Sequence, residues 1–183
     1  MTDTINRRNA LIGMGSAAAL TAVPINVFAA SHATVHEVLM LNKDPNDPSK
    51  KMLFSPYMLE VNVGDTVKFV AADKGHNSES IKGMLPKGVD KWKGKINKEV
   101  EVTFGTPGFY GYQCKPHANM GMIGLIVVTV EGKLDHLDNL EDAKGAKQRG
   151  KAKKAWKKLW EEADAAGLTL SLIHISEPTR RRG

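Results

Sequence analysis

Between Cys114 and Met122 the chain reads Cys-Lys-Pro-His-Ala-Asn-Met-Gly-Met. A thiol (Cys114), an imidazole (His117) and two thioethers (Met120 and Met122) fall within nine residues. These donors suit copper, whereas calcium and magnesium take oxygen ligands. Two imidazoles and a thiolate in a plane, with a weak axial thioether, hold copper for one-electron transfer. The loop offers one imidazole, so that geometry needs a second histidine from elsewhere. Cys114 is the only cysteine, so it forms no internal disulfide and is either a ligand or a free thiol.

Five further histidines exist: His32, His36, His76, His136 and His174. His76 is the favoured partner, because Lys74-Gly75-His76 ends a strand pattern over Val67–Ala72 and can reach a loop at the same end of a sandwich. His32 lies close to the N-terminal leader. His36 lies within a strand pattern, and His136 on an expected helix. Taken singly, each residue has a structural reading: Met40, Met58 and Met84 are expected in the core, and a lone buried cysteine is usually a small hydrophobe. Three rival chemistries use the same residues. A copper-trafficking or storage protein binds Cu(I) without reversible cycling. A Cys114–His117 nucleophilic pair leaves the methionine unexplained and shows no orienting acid. Structural zinc is poorly served by a thioether.

The surrounding pattern is that of strands. Thr66–Val70 and Val100–Phe104 alternate apolar and polar residues. Val35–Leu41, Tyr57–Val61 and Phe109–Gln113 are further strands. Ile123–Val130 is a continuous β-branched run, suited to burial on both faces. Six or more short strands with Gly/Pro turns predict a two-sheet sandwich, all-β in class. Asp73–Lys98 breaks the pattern and is expected to be a long functional loop. Beyond Val130, Leu134, Leu137 and Leu140 suggest a short helix. Ala152, Ala155, Trp156, Leu159, Trp160 and Ala163 make one apolar stripe of a second helix, expected to pack on the sandwich rather than on a membrane.

The 183 residues divide into four segments. Residues 1–30 carry Arg7-Arg8, an apolar run and small residues at Ala29-Ala30, the order of a secretory signal peptide with a hint of twin-arginine export. Residues 31–131 make the sandwich, and 132–169 the helical extension. Residues 170–183 match the translation of a transposase adapter used in sequencing libraries, so His174 is set aside. The whole chain has a formal charge of +6, and about +3 without both end segments. That mild surplus does not point to nucleic acid. It suits a basic face for an acidic partner.

The chain resembles the pseudoazurins, small cupredoxins of bacterial periplasms. The matching segments are His-Glu-Val-Leu-Met-Leu-Asn-Lys at 36–43, Gly-Asp-Thr-Val at 64–67, Asp-Lys-Gly-His-Asn at 73–77, Glu-Ser-Ile-Lys at 79–82 and the loop at 114–122. The resemblance implies a Greek-key cupredoxin β-sandwich of about eight strands with two C-terminal α-helices. It implies one type 1 copper per chain, bound by His76, Cys114 and His117, with Met122 as the weak axial ligand. Asn77 would tie the ligand loops together, Pro116 would withhold an N–H from the sulfur, and Met120 would pack against the site. The implied role is a periplasmic, monomeric electron carrier and not an enzyme. Its partner would be a copper nitrite reductase, a similar reductase or a c-type cytochrome, docking at His117. Pro86, Ala118 and Met120 are expected to form a dry patch there. Lys43, Lys74 and Lys115, with Lys91 or Lys93, are expected to ring it.

Overall fold

A computed structural model describes residues 33–134 and 138–169. The expected leader over residues 1–30 and tail over 170–183 lie outside the described residues, as do His32, His136, Leu137 and His174. The strands are β1 (Val35–Lys43), β2 (Lys51–Ser55), β3 (Met58–Asn62), β4 (Thr66–Val70), β5 (Glu79–Ser80), β6 (Val100–Thr103), β7 (Gly108–Gln113) and β8 (Ile123–Thr129). Helices α1 (Leu140–Gly145) and α2 (Gly150–Ala165) follow. One sheet has the order β2-β1-β4-β6 and the other β3-β8-β7-β5. β1 pairs with β4, and β3 with β8, in parallel; the other pairs are antiparallel. β1–β2 and β7–β8 are neighbours in sequence, while every other connection crosses between the sheets, as in a Greek key.

Two of these strands have weak sequence signals. β2 follows the polar Asp44–Lys50 stretch, and Lys51-Met-Leu-Phe-Ser shows little alternation. β5 is two residues long and sits inside the segment that looked irregular. The first helix starts at Leu140, so Leu134 precedes it rather than belonging to it.

β8 organises the interior. All seven of its residues are buried, and they alternate between two cores. Ile126 and Val128 face the inner core with Val38, Met40, Phe54, Phe69 and Tyr112. Ile123, Leu125 and Val127 face the helices with Ala152, Trp156 and Leu159. Gly124 completes the strand because Tyr112 lies across it: a Cβ there would stand 2.2 Å from the phenol ring. α2 is rich in Ala and Lys, which lose little freedom in a helix. Its stripe packs as expected, with Trp160 set edge-on to Phe109 at 5.7 Å. Each large apolar side chain so buried contributes about 1.5–3 kcal/mol.

The two ends of the sandwich differ. The C-terminal ends of β1, β4 and β7 and the start of β8 share one end, which brings together Asn42, the Asp73–Asn77 segment, Cys114 and Met122. The other end carries His36, whose Nε2 lies 3.0 Å from Asp65 Oδ2. The Asp65 carboxylate also accepts the N–H groups of Thr34 at 2.8 Å and Asn62 at 2.9 Å. Burial works against its charged form, but the hydrogen bonds from Thr34, His36 and Asn62 outweigh it and hold the carboxyl below its ordinary 3.8. The stability this adds is present above the ordinary carboxylate value and is lost as pH falls through the lowered one. Asp65→Ala orphans these donors and should cost about 2–3 kcal/mol in urea melts at neutral pH. The gap between the parent and Asp65→Asn should narrow as pH falls below 3.8. A gap that stays constant would show that the charge contributes nothing.

Candidate metal centre

Three donor atoms converge at the loop end of the sandwich. Cys114 Sγ lies 3.7 Å from His76 Nδ1 and 3.4 Å from His117 Nδ1, and the two nitrogens are 3.2 Å apart. Such a triangle encloses a point about 2 Å from every corner, which is bonding distance for a first-row metal on nitrogen and close to that on sulfur. Among the described residues, this is the group of histidine, cysteine and acidic side chains gathered closely enough to hold an ion. His76 and Cys114 are fully buried, and His117 is half-buried. The donor set therefore fits copper in chemistry and in spacing.

Each donor is held by atoms that are not donors. His76 leaves β4 through a short loop, and its Nε2 lies 3.0 Å from Asn42 Oδ1. The amide oxygen accepts, so the ring carries its proton on Nε2 and leaves the Nδ1 lone pair free. The Asn42 N–H donates to Asp73 Oδ2 at 2.7 Å, which ties β1 to the same loop. Asn77 spans the two ligand segments: its Oδ1 accepts the Lys115 N–H at 2.8 Å, and its Nδ2 donates to the Gly94 carbonyl at 3.0 Å.

The Cys114 loop folds on itself through its backbone. The Cys114 N–H donates to the Met122 carbonyl at 3.1 Å, and the N–H groups of His117 and Met122 donate to Cys114 and His117 at 3.1 and 3.2 Å. A single 3-10 turn, Ala118–Met120, closes on Gly121 at φ +99°, a conformation that favours glycine. This returns the chain so that Met122 is fully buried in the core cluster that holds Cys114. Met120 points the other way and is 53% exposed. Pro116 is exposed between the cysteine and the histidine.

Burial pushes the Cys114 thiol above its ordinary value, opposed by the N–H groups of Asn77 and His117 and reinforced by the Glu79 charge. Burial, then the neighbouring His117, pulls His76 down, against the pull of Asp73. Metal binding here must therefore expel the thiol proton, while the His76 ring is already neutral.

The structure also sorts the remaining candidates. His36 stands at the opposite end, on Asp65. Pro86 does not join the surface patch: it is buried and packs against Gly108, at the far end of β7. Lys91 lies along a groove with Glu101–Thr106, also away from the donors. Lys43, Lys74, Lys93 and Lys115 are exposed. Lys115 Nζ stands 3.8 Å from Glu79, which also accepts Gln113 Nε2 at 3.0 Å. Lys95 and Lys98 add to the basic rim, because Asn97 between them donates to the His76 carbonyl at 2.8 Å and accepts the Gly75 N–H at 2.6 Å. Sequence reasoning missed Asn42, Glu79 and this turn. For Asn42 a signal existed: a polar residue interrupts β1 just where the strand reaches the histidine.

Comparison with known proteins agrees with this geometry. The family model described as copper binding proteins of the plastocyanin/azurin family matches residues 43–129. The chain is 43% identical to the pseudoazurin of Paracoccus pantotrophus over 138 residues, covering 75% of this chain and 90% of that one. It is 42% identical to the pseudoazurin of Methylorubrum extorquens, covering 70% and 81%. A solved pseudoazurin from a Sinorhizobium species superposes with a TM-score of 0.66 at 47% identity, covering 73% of this chain and 99% of that one. The matching family model is one of copper binding proteins, and the converging His76, Cys114 and His117 are a donor set suited to that metal. This chain belongs to the pseudoazurin family, within the plastocyanin/azurin group of copper proteins.

Proposed function

We propose that His76 Nδ1, Cys114 Sγ and His117 Nδ1 would hold a copper ion of type 1, with the Met122 thioether as a weaker fourth ligand. The observation that carries this reading is the triangle of donors with sides of 3.2 to 3.7 Å. Bound there, copper supplies the Cu(II)/Cu(I) couple. The protein's part is to hold the donors still, so that little rearrangement accompanies the change of charge. Asn77 fixes the spacing of the two ligand loops, and Pro116 brings no N–H to compete for the sulfur. Met120 shields the loop from outside and does not ligate.

Electrons pass through the half-buried edge of His117. Ala118, Met120 and Ile96 give the surroundings an apolar character, Met120 and Ile96 each being 53% exposed. Lys43, Lys74, Lys93, Lys95, Lys98 and Lys115 form the basic rim. Such charge speeds and orients encounter with an acidic partner more than it strengthens the complex. The partner is a periplasmic reductase, of which a copper nitrite reductase is one example, or a c-type cytochrome. The chain acts as a monomer in the periplasm, exported by the leader over residues 1–30. Among the described residues no helix is long and apolar enough to cross a membrane.

Adding Cu(II) to the purified domain should produce an intense visible thiolate-to-copper band and a reversible one-electron voltammogram, and Cys114→Ser should abolish the band. A protein that takes up Cu(I) but does not cycle would instead be a storage or trafficking protein. Asn77→Ala should weaken copper binding by about 10–100-fold while leaving the domain folded. That loss can be read by competition with a chelator. Electron delivery to an acidic redox protein should slow as salt rises; a rate indifferent to salt would remove the basic rim from the mechanism.

A further inference from the structure

We infer that α2 is the outer wall of the ligand loop and that Ala155 is a positioning residue for the thioether of Met122. This rests on the copper reading above and adds a determinant that lies outside the sandwich. The strand pleat sends alternate residues of β8 to opposite faces. Met122 faces inward, in the cluster that holds Cys114. Ile123 faces outward, in the cluster that holds Ala152, Trp156 and Leu159, with Ala155 packed against it. Gly121, the other neighbour of Met122, also meets the helix: a Cβ built on it would stand 3.5 Å from the Ala155 Cβ. One turn earlier, a Cβ on Gly150 would stand 3.7 Å from the Asn119 carbonyl. The helix thus backs the loop at Asn119, Gly121 and Ile123.

Because both faces are small, the gap between them is narrow: a methyl group on Gly121 would sit at ordinary van der Waals distance, 3.5 Å, from the Ala155 Cβ. Gly121 has no side chain, and its positive φ forbids an easy replacement. Position 155 carries only a methyl group. Its neighbours in the stripe, Trp156, Leu159 and Trp160, anchor the helix to the sheet and prevent it from backing away. A side chain at 155 that outgrows this methyl-sized gap, as leucine does, must therefore push Gly121 and Ile123 inward, and Met122 between them moves toward the donors. A closer thioether donates more strongly to the oxidised ion, which lowers the reduction potential, since the axial ligand tunes such sites.

The test compares Ala155→Leu, Ala155→Val and Ala155→Ser with Leu159→Ala in the copper-loaded full chain. Leu159 lies in the same layer one turn farther from the loop. We expect Ala155→Leu to lower the midpoint potential and to redistribute intensity between the visible bands. Ala155→Val should do the same to a smaller extent, and Ala155→Ser should match the parent. Leu159→Ala should lower the melting temperature with spectrum and potential unchanged. If Ala155→Leu fails to fold, Ala155→Val decides by the same criteria. An unchanged or raised potential in the folded 155 variants overturns the inference. So does an equal spectral shift in Leu159→Ala, which would make the effect one of general loosening. If the parent itself gives no thiolate-to-copper band, the copper reading fails instead, so the two failures are separable.

Discussion

The structure depends on keeping three electron-rich atoms closer together than they would choose to be. Two imidazole nitrogens 3.2 Å apart, with a sulfur 3.4 and 3.7 Å away, have little reason to gather in a buried pocket unless something joins them. Before that happens, the surrounding hydrogen bonds must impose the arrangement. Asn42 does so for one ring and Asn77 for the gap between the ligand segments, each through geometry rather than charge. Low-dielectric surroundings add to the constraint, because they favour the neutral ring and the protonated thiol. The pocket is thus shaped to accept a metal ion while the thiol proton still opposes binding.

The sandwich is what makes these hydrogen bonds possible. Asn42 lies near the end of β1 and His76 in the connection after β4, and parallel pairing of β1 with β4 brings the ends of both strands to one edge. The antiparallel pairing of Gln113 with Ile123 puts Cys114 and Met122 at the mouth of a single hairpin. The loop between them is tightened by one 3-10 turn. The helical layer closes the outer side of the same hairpin. The helical extension, whose apolar stripe was expected to pack on the sandwich, is continuous with the second core.

Much of the site was legible because donor chemistry is carried by residue type. A Cys, a His and a Met at loop spacing name a metal before any fold is known, and the alternation of Thr66–Val70 names the strand that delivers His76. The sandwich was legible from β8, whose unbroken apolar run admits only burial on both faces. Other features escaped for physical reasons. β5 is two residues long, too short to establish a period, and it exists because Glu79 and Ser80 pair with Gln113 and Tyr112. Asn42 and Glu79 act through partners more than thirty residues away, which no local pattern records. Pro86 seemed to belong to the apolar rim from its place in the long loop. The loop runs the length of the sandwich and leaves that ring against Gly108 instead.

The parallel pairing of β3 with β8 sets an order of events. β3 is complete by Asn62, yet its partner begins only at Ile123, so the second sheet cannot close until nearly all of the sandwich has been synthesised. Long-range pairings of this kind form late, because the intervening chain must first be confined. Met122 directly precedes the strand that makes this closure. The loop from Cys114 to Met122 and the last strand consequently take their places together. The three gathered donors, His76, Cys114 and His117, therefore depend for their final spacing on a strand that arrives after all of them.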